Sequence, residues 1–323
     1  MNKIFIIYNI CGLSGKTNNN QYSKSIESIL NQNFNEYKLI ISSCLNSQNT
    51  IDSLINKHRG KISINWIKDK IPINTSFNHT VIEAIKKFGP AESYLYMDSG
   101  VDFENQIDAI QKVYNLYNSG PYGLITIRTD TNHGFHIWFP ETGAKTDNDT
   151  VADLYFRNLP DNFIVPIGKA CNMHCQLFSN KIQEFYGQLW PSIFAGESSE
   201  SVLGAVIAAL KLKHIIHKDL QVHHEHSVDG PSSGFPPWKW VQDTGRPPYD
   251  HPFIIDNLMD RIMGGAQYGL FYETIRGVLM PDLSKYDGNG YALDPKLKSY
   301  IKDNLFLKKE ELDFNKINSE WII

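Results

Sequence analysis

Two aspartates, Asp98 and Asp102, close the stretch Tyr94-Leu-Tyr-Met-Asp-Ser-Gly-Val-Asp102. Four large apolar residues in a row, running into acidic ones, have the pattern of a parallel strand buried on both faces. Such a strand delivers its carboxylates at its C-terminal end, the edge where open α/β sheets bind ligands. Two carboxylates there suit a hard divalent cation carrying a phosphate-bearing ligand. The plainer alternative leaves Asp98 as a strand terminus and Asp102 as the cap of a helix near Glu104. A second source of metal chemistry is the histidine run His214, His217, His223, His224 and His226. A neutral imidazole can ligate Mn2+ beside carboxylates, and His226 or His224 is the candidate. Strand alternation places those two on one face and His223 on the other.

Other motifs carry weaker chemistry. Gly12-Leu-Ser-Gly-Lys-Thr17 has the flavour of a phosphate-binding loop. The signature needs a glycine five residues before Gly15, where Ile10 stands, and Asn18-Asn-Asn20 is poor material for the helix that should follow. Cys171-Asn-Met-His-Cys175 has zinc-like spacing, but a zinc site wants a second pair and neither Cys11 nor Cys44 provides one. Trp238-Lys-Trp240, set among prolines, reads either as a stacking platform for a sugar or base or as packing for a loop.

The elements that must position these residues alternate. Lys3–Tyr8, Tyr37–Ser42, Ile62–Ile67 and Tyr94–Met97 read as strands. Helical spacing recurs over Ser23–Asn31, Thr50–His58, Thr75–Phe88 and Asn105–Tyr117. That order implies an α/β fold with a mainly parallel sheet and right-handed crossovers. Gly123–Arg128 and Phe135–Phe139 are expected as antiparallel or mixed strands, Phe163–Ile167 as a short strand and Asn180–Tyr186 as a short helix. Ser199–Lys211 is apolar nearly all round and reads as a buried helix. His214–His217 and Leu220–His223 are strand-like. Val228–Pro252, rich in Pro, Gly and Trp, reads as a long functional loop, and the remainder to Ile323 as helical.

Composition sets the class. The chain has 323 residues, 41% hydrophobic and 20% charged, the balance of an ordinary globular protein. A net charge of −4 argues against a broad basic surface for nucleic acid. Four scattered cysteines fit a reducing compartment better than a disulfide scaffold. No run reaches the ~18 apolar residues of a membrane span, and the opening Met1–Tyr8 run is too short for a signal peptide. A cytoplasmic location is expected.

The ordered set resembles a glycosyltransferase of the GT-A fold, close in pattern to glycosyltransferase family 2. A first strand ends at Tyr8-Asn9. Ser25-Ile-Glu-Ser-Ile-Leu-Asn-Gln-Asn-Phe34 is similar to the family's S-I-L-x-Q-x-F helix. Tyr37-Lys-Leu-Ile-Ile-Ser-Ser43 follows, then a turn ending at Asn49-Thr50. Asn74-Thr-Ser-Phe-Asn-His-Thr80 begins the helix before the metal strand, and Met97-Asp-Ser-Gly100 stands at the Asp-x-Asp motif. Two departures are plain: Ser42 and Ser43 stand where the family has base-holding aspartates, and Gly100 stands at the second Asp.

The resemblance covers residues 3–228. It implies a GT-A domain there (a nucleotide-sugar half, 1–104, and an acceptor half, 105–228) followed by a lid loop and helical extension over 229–323. It implies a nucleotide-sugar donor, UDP-linked by first choice, contacted by Tyr8, Asn9, Ser43, Asn74, Asn78, Asp98 and Ser99. It also implies Mn2+ or Mg2+ held by Asp98, Asp102, His226 and His224. Glu197 and Glu200, in Ala195-Gly-Glu-Ser-Ser-Glu-Ser201, stand where the family has its general base. The plainer reading of these glutamates is helix-dipole compensation. The acceptor is expected to be a glycan, a small molecule or a modified nucleobase. The rival expectations are a P-loop phosphotransferase, a phage-type glycosyltransferase of modified DNA bases and a non-catalytic sugar binder.

Overall fold

A computed structural model of the chain describes residues 2–11, 19–44, 48–68, 71, 73–129, 137–138, 145–146, 158, 163–165, 174–190, 203, 206–207, 210–224 and 317–323. The first four strands are β1 (Asn2–Cys11), β2 (Tyr37–Cys44), β3 (Ser63–Ile67) and β4 (Ala91–Asp98). Between them lie α1 (Asn19–Leu30), α2 (Gln48–His58) and α3 (Ile73–Phe88). After β4 come β5 (Val101–Asp102), α4 (Ala109–Asn118), β6 (Tyr122–Thr129), β7 (Ile137–Trp138) and β8 (Lys145–Thr146). The chain then forms β9 (Cys175–Ser179), α5 (Asn180–Tyr186), β10 (Lys213–His224) and β11 (Ser319–Ile322).

Nine strands make one sheet in the order β11-β3-β2-β1-β4-β9-β6-β10-β5. β3, β2, β1 and β4 run parallel, as the strand–helix alternation predicts. β9 lies antiparallel between β4 and β6, and β10 runs parallel to β6. Alternation along β1 sorts the core: Ile4, Ile6, Tyr8 and Ile10 face α1, α2 and α4, while Phe5 and Ile7 face α3 and α5. Both faces of the parallel half are therefore dry, which is why its strands read as unbroken apolar runs.

Some expectations are corrected. The mixed pairing expected of Gly123–Arg128 is present, antiparallel to β9 and parallel to β10, but Ile137–Trp138 pairs antiparallel with β8 in a separate two-stranded sheet. The two histidine-bearing segments are one strand, β10, whose register shifts between His217 and Gln221 and so absorbs the polar interruption. In the Phe163–Ile167 stretch the described residues show a single bridge, Ile164 to Ile215. α4 begins at Ala109 because the chain first turns at Glu104, whose φ is 49°. The helix expected to run to Ile323 gives way to β11, antiparallel to β3, with Trp321 packed edge-on against Phe88 at 5.4 Å. No helix among the described residues is long and apolar enough to cross a membrane.

Candidate functional site

β4 ends at Asp98 and the chain reverses at once through Ser99 and Gly100 into β5. Gly100 has φ 84°, a left-handed conformation that glycine adopts without strain, so the turn itself accounts for a glycine here. Tyr8, fully buried on the neighbouring strand, accepts a hydrogen bond from the Gly100 N–H at 3.1 Å through its hydroxyl. Burial pushes that phenol well above its ordinary range, so it stays a neutral hydroxyl that braces the turn.

The turn aims Asp98 at two histidines. Asp98 Oδ1 accepts from the Ser99 N–H at 2.9 Å, and Oδ2 lies 3.1 Å from His174 Nδ1. His174 is placed by the antiparallel β4–β9 pairing, extended by the Asp98 N–H donating to the His174 carbonyl at 2.8 Å. His224 comes from the other side: β10 pairs with β5, bringing His224 opposite Val101. Its Nε2 donates to the Ser99 carbonyl at 3.2 Å. A carbonyl can only accept, so in the neutral ring the lone pair sits on Nδ1. The two imidazole centroids are 4.0 Å apart. Asp98, His174 and His224 are all buried, and one ligand atom from each lies within 4.8 Å of the others.

Electrostatics single this corner out. Burial pushes the Asp98 carboxyl up to about 6, only partly offset by His224, the Ser99 N–H and the Tyr96 hydroxyl. Burial holds His174 down to about 4, which leaves a neutral imidazole at pH 7. Among the described residues no lysine or arginine pairs with Asp98. A buried carboxylate facing two imidazoles is a fit for a divalent cation.

The other expected residues are distributed differently. Asp102 lies in β5, away from the cluster: its Oδ1 accepts from the Glu104 N–H at 2.8 Å and its Oδ2 pairs with Lys24 at 3.1 Å. Asn9 accepts from Ser76 Oγ at 3.2 Å, and the chain of contacts continues through Ser42, Thr80 and Asn65. Ser42 and Ser43, where the family pattern has aspartates, are buried. Asn74 is buried and accepts from the Thr75 N–H at 2.9 Å. Asn78 has all four of its amide valences engaged: it accepts from the N–H groups of Leu189 and Trp190 and donates to Gln188 Oε1 and the Trp190 carbonyl. It therefore anchors the chain leading into residues 191–200. Ser99, half-buried, serves the site through its backbone. Glu197, Glu200, His226, Lys16, Cys171, Trp238 and Trp240 lie outside the described residues.

His174 is not among the site residues that the sequence pattern marks. It stood inside the Cys171–Cys175 motif, where the cysteines drew the zinc comparison. Cys175 points instead into the apolar core, and burial pushes its thiol up. The usable signal was a histidine at the start of a buried segment, and its partner was visible only once β9 had been inserted beside β4.

No family model and no curated protein matches the chain. Solved structures do. The mannosyltransferase PcManGT from Pyrobaculum calidifontis, in complex with GDP-Man and Mn2+, superposes with a TM-score of 0.50 at 10% identity, over 97% of this chain and 82% of that one. The chain shares the α/β fold of this enzyme. S. aureus TarS 1–349 in complex with UDP-GlcNAc matches with a TM-score of 0.49 at 10% identity over 73% of this chain. The chain spans 63% of that structure's length.

Proposed function

We propose that this protein is a metal-dependent glycosyltransferase that moves a sugar from a nucleotide-sugar donor to a hydroxyl acceptor. The observation that carries the reading is the buried Asp98–His174–His224 corner at the C-terminal edge of the parallel strands, on a fold shared with a mannosyltransferase. In such a sheet that edge is the ligand-binding edge. Asp98, His174 and His224 would hold the divalent ion; when bound, it offsets the charge that builds on a departing diphosphate.

The chain's own groups prepare the rest. Tyr8 and Gly100 fix the turn that aims Asp98. Ser99 orients His224 through its carbonyl. Asn78 fastens residues 188–190, just ahead of the stretch that carries Glu197 and Glu200. Glu197 is the proposed base for the acceptor hydroxyl, with Glu200 second, and the reading for both rests on sequence alone. Residues 1–228 are the proposed catalytic body and 229–323 the lid and extension, whose last strand returns to the body's sheet. The proposed location is the cytoplasm.

The test is a thermal-shift and hydrolysis screen of the purified chain with UDP-, GDP-, CMP- and dTDP-sugars, ATP and GTP, each with and without Mn2+. Metal-dependent stabilisation by one sugar nucleotide, with slow release of its nucleoside diphosphate, is the expected outcome. Stabilisation by ATP or GTP alone would sink the reading.

A further inference from the structure

We infer that this corner is built for a first-row transition ion in preference to Mg2+, and that His174 is the residue that sets the preference. The inference rests on the proposed metal site and concerns which ion that site accepts. Its basis is the donor set. Mg2+ is bound through carboxylates, waters and phosphate oxygens, and gains little from nitrogen. Among the described residues the corner offers it one carboxylate. Asp102 is withdrawn, held by the Glu104 N–H and Lys24. Gly100, at φ 84°, brings no side chain. The other two donors are imidazoles, which favour Mn2+, Fe2+, Co2+ and Zn2+ over Mg2+.

The geometry agrees. Ligands at right angles around an ion, each about 2.1 Å from it, stand about 3 Å apart. Asp98 Oδ2 and His174 Nδ1 are 3.1 Å apart. They hold the spacing of neighbouring ligands while hydrogen-bonded to each other. His224 is pre-oriented by the Ser99 carbonyl, the outer-shell arrangement that metal-binding histidines commonly use. Two imidazoles and one carboxylate also leave a divalent ion with one net positive charge. A two-carboxylate site would leave it neutral, so this one keeps more attraction for a diphosphate.

The experiment measures metal binding to the full-length, metal-stripped protein by calorimetry and thermal shift, using Mn2+, Co2+ and Mg2+ without nucleotide. Mn2+ and Co2+ should bind roughly tenfold or more tighter than Mg2+. Pulsed paramagnetic resonance on the Mn2+ form should show nitrogen coupling from two imidazoles, falling to one in His174→Ala. His174→Asp should shrink the Mn2+ to Mg2+ ratio by gaining Mg2+ affinity. Equal binding of Mg2+ and Mn2+, or a Mn2+ form without nitrogen coupling, overturns the inference and leaves the proposed function standing. No binding of any ion, with or without a sugar nucleotide, overturns both. The two wild-type measurements decide the matter even if His174→Asp fails to fold.

Discussion

Asp98 and Asp102 sit four residues apart and are almost equally deep, 3% and 1% exposed, yet the fold treats them in opposite ways. Asp102 is complete: a backbone N–H on one oxygen, a lysine ammonium on the other. Asp98 has a backbone N–H on one oxygen and a neutral histidine against the other, with its carboxyl pushed up to about 6. The difference separates a carboxylate that the protein has neutralised for its own stability from one left to be neutralised by something else. Depth does not distinguish them, since burying a charge is tolerable only where a counter-charge arrives. For Asp102 the counter-charge is Lys24, and for Asp98 no lysine or arginine among the described residues fills that place.

The largest break in that comparison is Asp98→Asn. Transfer should fall by about 100-fold or more, and Mn2+ should no longer raise the melting temperature. Without metal the variant should be more stable at pH 7.5. A carboxyl whose folded pKa is raised from 3.8 to about 6 loses stability as pH rises through that interval, and the full penalty is present above it. An amide escapes a cost on the order of 2–3 kcal/mol and can still accept from Ser99 and donate to His174 Nδ1. Thermal melts with and without Mn2+ check this; a metal-free variant less stable than the parent would mean that Asp98 is structural, like Asp102. Asn78→Ala comes next. It removes the hydrogen bonds Asn78 makes with the Leu189 and Trp190 N–H groups and the Trp190 carbonyl, at a cost on the order of 3 kcal/mol. Denaturant melts should show that loss while Mn2+ affinity changes little.

What the sequence disclosed follows the same division. The β1–β4 half was legible because each of its strands is a local apolar run and each helix carries its own periodicity, so α1 to α3 fall within a few residues of expectation. Asp98 was legible because it ends such a run. His224 was named for its place in a cluster. His174 was not seen, because its role depends on β9 sitting between β4 and β6, a pairing of segments more than 40 residues apart with no local mark. The surroundings of Asp102 were hidden for a related reason: sequence shows its nearness to Asp98 but not the tight turn at Gly100 that sends it onto β5, to pair with β10. The C-terminal strand was hidden behind a helix-like composition, and its partner β3 lies some 250 residues earlier.

The pH response sharpens the comparison, with a smaller effect. Burial holds His214 down to about 3 and His217 to about 4, the latter pulled back partly by Asp219. A histidine whose folded pKa is depressed gives stability that is full above its unfolded value and is lost as pH falls toward the folded one. Melting temperature should therefore drop from about pH 6.5 to pH 4. Asp98 works against this slope between about 6 and 4, because protonation relieves its burial penalty. Asp98→Asn should make the acid loss steeper, and His214→Gln, which can still bond Thr126, should make it shallower. Identical slopes in all three proteins would remove both groups from the account.

The smallest effect belongs to Asp102 and tests the comparison most directly. Lys24 is 55% exposed, so solvent screens its pairing and the ion pair contributes about 1 kcal/mol or less. Asp102→Asn keeps an oxygen for the Glu104 N–H and surrenders only the attraction to Lys24. Lys24→Gln leaves the carboxylate but not its cation. Each should cost about 1 kcal/mol, the double variant should cost less than the sum, and neither should change the Mn2+ midpoint. If Lys24→Gln instead raises metal affinity, Asp102 is a latent ligand that the lysine occupies, and the two aspartates differ in degree only. If Asp102→Asn abolishes the metal response as Asp98→Asn does, the site uses both carboxylates, and the turn at Gly100 must open when the ion enters.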